Sequence, residues 1–129
     1  MSKKALPVYR YNEKLKKALV VVAHPDDVDF GTAGTVAYLT NHGVDVAYCL
    51  VTSGDAGGDG STHTREERSA IREAEQTAAA KEVGVTSLTF LHWPDGQVEI
   101  NLALRREIAR VIRIHKPDLV ITQSPDRNY

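Results

Sequence analysis

The sequence predicts an α/β fold: Rossmann-like, three-layered, with a mostly parallel sheet of strand order 3-2-1-4. Short apolar runs at Ala18–Ala23, Val44–Thr52, Ser87–His92 and Asp118–Thr122 alternate with stretches of helical periodicity. The first run is apolar throughout, as a strand buried on both faces requires. It then breaks into His24-Pro25-Asp26-Asp27, polar groups at the carboxyl end of a strand. Open α/β sheets hold their ligands at those ends, beside the point where the strand order reverses.

Each element has its own justification. Residues 1–17 are polar and basic, with Pro7 and two tyrosines, and read as a flexible leader ahead of a folded part over 18–129. Thr32 to His42 carries Ala33, Val36, Ala37 and Thr40 at helical spacing, and Gly43 is its stop. The second strand runs into "SGDAGGDGST", a glycine-rich loop long enough to be suspected of function. Thr64 with Glu67 three residues on is a capping-box pattern opening a long helix. Ile71, Ala74 and Ala78 are its expected buried stripe, and Gly84 its end. "WPDGQ" after the third strand is a turn. Leu102 to His115 is a further helix with Leu104, Ile108, Val111 and Ile112 on one face, closed by Pro117. Right-handed crossovers limit the ways these units can be wound, and 3-2-1-4 is the natural order.

Composition narrows the function classes. The chain has 129 residues, enough for one domain. Its net charge of −1 gives no support to nucleic-acid or anionic-membrane binding. No stretch approaches the ~20 apolar residues of a membrane span, and Ala18–Ala23 is too short for a signal-peptide core. The single cysteine, Cys49, sits in an apolar segment, which fits a cytoplasmic location and rules out an intrachain disulfide.

The polar bend invites a chemical reading. His24 and Asp27 are three residues apart in a turn that Pro25 stiffens, so their side chains can converge. Imidazole plus carboxylate is a ligand set for zinc or another divalent first-row metal. Asp26 between them is placed to take a proton from a metal-activated water. The plainer alternative is that the aspartates cap a loop, with Asp29 capping the helix entered near Thr32. On the long helix Arg65, Arg68 and Arg72 form one stripe. They either face an anion or are neutralised by Glu67, Glu73 and Glu75.

"AHPDDVDFGTAGT" resembles the signature of the PIG-L/LmbE-like family of zinc-dependent deacetylases, which remove N-acetyl groups from amino sugars. The resemblance continues through "VTSGDAG", "IREAEQTAAAKEVGV", "LTFLHWPDG" and "HKPDLVITQSPDRNY", from about Lys17 to Tyr129. It implies His24 and Asp27 as zinc ligands, Asp26 as general base and Arg72 as a substrate contact. It implies Zn2+ as cofactor and a small-molecule amino-sugar derivative as substrate.

The family's third ligand is a histidine in a later segment, beyond "SPDRNY". The chain therefore reads as the N-terminal part of the domain, truncated. His42 and His115 lie at helix ends that feed the wrong edge of the sheet. His63 lies in the glycine-rich loop and nothing in the sequence fixes it. His92 ends the third strand on the correct side, and Asp95 in the turn is able to face the cleft. The expectation is weak zinc binding and little deacetylase activity without a partner that completes the site. An open sheet edge predicts self-association into a homo-oligomer. Rival readings are a non-enzymatic module and a Mg²⁺-binding receiver-type domain. The receiver needs an aspartate where His92 and Trp93 stand. A phosphate-binding turn at Gly31 and Gly34 lacks the nucleotide fingerprints.

Overall fold

Strand β1 (Lys17–Val22) is central, and the rest of the fold covers its two apolar faces. The structure, a computed structural model, describes residues 12, 14–56 and 62–126. After β1 come the short helix α1 (Asp27–Gly31), α2 (Ala33–Asn41), β2 (Asp45–Leu50), α3 (Arg65–Glu82), β3 (Ser87–Phe90), α4 (Leu102–His115) and β4 (Leu119–Thr122). The strands form one parallel sheet in the order β3-β2-β1-β4, as the sequence predicts. The chain steps outward from β1 to β3, then returns through α4 to the other side of β1. The switch point therefore lies between β1 and β4.

Side chains alternate across the sheet. Ala18, Val20 and Val22 of β1 join Val46, Tyr48 and Leu50 of β2 in one core, covered by Val36 and Leu39 of α2 and Ala80 of α3. Leu19 and Val21 join Ala47 and Cys49 in the other, covered by Leu104, Ile108, Val111 and Ile112 of α4. Strands buried on both faces explain why β1 and β2 read as continuous apolar runs. Thr64 caps α3 by accepting a hydrogen bond from the Glu67 amide at 3.1 Å, and Asn101 caps α4 through the Leu104 amide at 2.8 Å.

Two expectations are corrected. Ile71, Ala74 and Ala78 are exposed, Ile71 by 41%; the buried residues of α3 are Gln76 and Ala80. The face of α3 is rotated because its N-terminal half packs on the polar end of the sheet rather than on the oil. Asp29 lies inside α1 and caps nothing; α2 opens at Thr32 without a side-chain cap. The leader reading falls mostly on residues outside those described. Of its last residues, Leu15 is buried in the core and Lys17 opens β1. No helix among the described residues is long and apolar enough to cross a membrane.

Candidate metal centre

The carboxyl end of β1 turns through Pro25 into α1, and the turn has a cost. Asp26 sits at φ 75°, in the left-handed region that aspartate tolerates better than most residues. Such a conformation costs on the order of 1–3 kcal/mol and persists only where its surroundings enforce it. Here the Asp26 amide donates to Gln76 Oε1 at 2.8 Å, and Gln76 is fully buried in α3. Arg72, one turn earlier on α3, donates from Nη1 to Asp26 Oδ2 at 2.7 Å. Arg72 also packs beside Gly54, which adopts φ 67° and leaves no side chain between the guanidinium and Pro25.

The bend brings His24 and Asp27 together. The Asp27 carboxylate oxygen Oδ2 accepts from the His24 amide at 2.9 Å and lies 3.4 Å from His24 Nδ1. From the switch point, Gln123 beyond β4 donates Nε2–H to the same oxygen at 3.1 Å. Its Oε1 accepts from the Ala23 amide at 3.0 Å, so β4 also fixes the bend. Nitrogen and oxygen donors about 2.1 Å from one tetrahedral zinc stand about 3.4 Å apart. The separation observed between Nδ1 and Oδ2 matches, so the pair fits two positions of a zinc centre. Among the described residues no group of three or more His, Cys, Asp or Glu is arranged to hold a metal.

The other histidines stand elsewhere. His63 Nδ1 is 3.0 Å from Glu67, and His42 Nδ1 is 2.7 Å from the Tyr38 carbonyl. His92, at φ 59°, places Nε2 2.6 Å from Glu73 Oε1, which also accepts from the Ser53 hydroxyl.

The arginine stripe of α3 faces inward to the loops. Arg65 and Arg68 donate to the side chain and carbonyl of Asp55, each at 3.0 Å, and Arg72 takes Asp26. It thus faces anions of the chain itself, and Glu67 and Glu73 are paired with histidines instead. Beside this network, burial raises the Asp29 carboxyl above its ordinary range; the charge of Asp26 adds to that and a Gln76 hydrogen bond opposes it.

Three residues of the site were not picked out from the sequence: Gln76, Gln123 and Asp55. The spacing of Arg72, Gln76 and Ala80, four apart, holds the signal for the first, since it marks one helix face. Beside His24 and the ends of β1, β2 and β4 lies a cleft of about 450 Å3 that Val98, Leu104 and Ile108 also line. That is within the range of small-molecule sites, about 300–1,000 Å3.

The family model described as PIG-L: GlcNAc-PI de-N-acetylase matches residues 19–128. Diacetylchitobiose deacetylase of Thermococcus kodakarensis is 33% identical over 111 residues, 86% of this chain and 42% of that protein. The solved N,N'-diacetylchitobiose deacetylase of Pyrococcus horikoshii superimposes with a TM-score of 0.86 at 30% identity, over 91% of this chain and 44% of that one. The 4-carboxy-2-hydroxymuconate hydratase of Pseudomonas putida superimposes with a TM-score of 0.80 at 26% identity, over 89% of this chain and 50% of that one. The chain spans about half the length of the curated relatives it matches. A match that runs from β1 to beyond β4, over this strand order and this His-Pro-Asp-Asp bend, makes the chain a member of the PIG-L family.

Proposed function

We propose that this chain carries the β1 half of a zinc-dependent deacetylase centre, acting on an N-acetylated amino sugar. The observation that carries the reading is the 3.4 Å approach of His24 Nδ1 to Asp27 Oδ2 on one bend. In this reading His24 and Asp27 hold the metal. A bound zinc ion supplies an electrophile for the amide carbonyl and makes a water more acidic, towards pKa ~7.

Asp26 then acts as the base. It takes one proton from the attacking water and returns it to the leaving nitrogen, so that a free amine and acetic acid result, and the acid's proton passes to the amine or to solvent. Arg72 binds Asp26 Oδ2 at 2.7 Å and fixes the carboxylate, which assigns the proton to Oδ1. Gln76 holds the backbone of the same residue. With 36% of its side chain exposed, Arg72 is also open to an oxygen of the substrate. The cleft seats the sugar between the bend and the apolar residues of α4. Names of the relatives support the substrate class: diacetylchitobiose for one and N-acetylglucosaminyl malate for another.

Zinc titration calorimetry and acetate release from N-acetylglucosamine derivatives test this. A two-ligand site predicts weak zinc binding that His24→Ala abolishes, with little turnover by the chain alone. Binding unchanged in His24→Ala would overturn the metal assignment; tight binding with brisk turnover would overturn the two-ligand count. The hydratase neighbour supports a second reading, addition of water to a conjugated double bond by the same centre. Loss of a dienoate absorbance without acetate release would favour it.

A further inference from the structure

We infer that Asp95 is a positioning residue: it holds the His24 ring as the Nε2–H tautomer and so turns Nδ1 toward the metal. The inference rests on the reading of His24 as a ligand. His24 Nε2 lies 2.8 Å from Asp95 Oδ1, a hydrogen-bond distance at which the ring nitrogen donates and the carboxylate accepts. The remaining ring nitrogen, Nδ1, is the one that faces Asp27. The two edges of the imidazole are therefore divided between two carboxylates on different elements. A histidine ligand commonly donates its other N–H to a carboxylate, which fixes the ring and makes the ligand nitrogen more basic.

Asp95 is built for that task. It is 8% exposed, in the turn that follows β3, and the Gln97 amide closes the turn on the Pro94 carbonyl at 3.1 Å. Gly96 at φ 80° occupies the position of a type II turn that needs a glycine. Oδ2 of Asp95 accepts from the Ala56 amide at 3.0 Å, which leaves Oδ1 aimed at His24. Arg65 of α3 donates to the Asp95 carbonyl at 3.3 Å, and the Asp95 amide donates to Asp55 Oδ1 at 3.3 Å. Asp95 is thus clamped by the loop after β2 and by α3 before it touches the ring. The orientation of His24 depends on three elements besides its own.

The test reads the tautomer directly. Long-range proton–nitrogen spectra of the imidazole rings are recorded on the metal-free, 15N-labelled chain, at a pH well above the ordinary imidazole range. His24→Asn assigns the resonances. In the wild type His24 is expected to carry its proton on Nε2. Asp95→Ala is expected to give a mixture of tautomers, and Asp95→Asn, which keeps one acceptor oxygen where the carboxylate offers two, to retain the Nε2–H form only in part. Zinc affinity should fall 10–100-fold in Asp95→Ala and by less in Asp95→Asn. A proton on Nδ1 in the wild type, or the same tautomer and zinc affinity in Asp95→Ala, would overturn the inference. If the wild type shows the Nε2–H form but takes up no zinc, the metal reading fails, while the tautomer spectra still decide whether Asp95 holds the ring.

Discussion

Helices α3 and α4 lie on opposite faces of the same sheet and are built on opposite plans. α4 presents Leu104, Ile108, Val111 and Ile112 to the sheet, and its buried face is the one its apolar spacing announces. α3 places its first turns against the polar ends of β1 and β2, so Arg72 and Gln76 point inward while Ile71, Ala74 and Ala78 point outward. Only at Ala80 does α3 meet the apolar core. A helix that packs by oil alone is legible from its hydrophobic period. A helix that positions a site is not, because the residues it must bury are the ones a hydrophobic scale assigns to solvent.

Substitutions on the two helices put this contrast to the test. The largest effect belongs to α4. Val111 is 6% exposed, and Val111→Asp places an unpaired charge in the core. It should lower stability by about 4 kcal/mol or prevent folding, as measured by urea denaturation. A loss below about 1 kcal/mol would show that α4 is not the oily lid described here.

Next comes Gln76 on α3. Gln76→Ala removes the acceptor for the Asp26 amide, in a residue already at φ 75°, and opens a space in the interior. About 1–3 kcal/mol of stability should be lost. Zinc affinity or turnover should fall as well, which Val111→Ala, on the far side of the sheet, should not cause among folded molecules. Equal effects of both variants on zinc would erase the distinction between the helices.

Much of the fold was legible because its signals are local. The alternation of apolar runs with helical periods, the glycine after α2 and the proline after α4 each act through their own backbone. Thr64 was legible for the same reason, and it caps α3 as expected. At the bend, the approach of His24 to Asp27 was legible because one tight turn holds both. The contacts of Asp95, Gln76 and Gln123 with that bend were not. They join residues 71, 50 and 96 positions apart, and nothing local in the chain states which loop will lie over which strand end. Asp95 in "WPDG" has the composition of any surface turn; its burial comes from Ala56, Arg65 and His24 closing around it.

The N-caps offer a smaller test, one on each helix. Thr64→Ala and Asn101→Ala should each cost about 1 kcal/mol. The α3 end carries an added pH dependence. A hydrogen bond from His63 holds the Glu67 carboxyl below its ordinary range, against an opposing burial effect. A carboxyl whose folded pKa is lowered stabilises above its unfolded value, ~4.3, and that stabilisation is lost as pH falls through the folded pKa. The difference between wild type and Glu67→Gln should therefore shrink as the pH falls below about 4. The α4 end should show no matching trend, since Asn101 is uncharged.

The smallest expected effect is the most pointed one. If α3 is rotated as described, Ile71 and Ala78 face solvent, Ile71 with 41% of its surface exposed. Polar replacements there, Ile71→Gln and Ala78→Gln, then change stability by no more than about 0.5 kcal/mol, because little apolar area returns to water and glutamine suits a helix. The same replacements on a buried stripe would each cost several times that. Ile108→Gln on α4 serves as the control, since Ile108 packs against the core beneath it. A large loss at Ile71 with a small one at Ile108 would mean that the apolar spacing of α3 marks a contact face, covered in solution by a second copy or another partner, and that the polar inward face of Arg72 and Gln76 is only one of two that the helix uses.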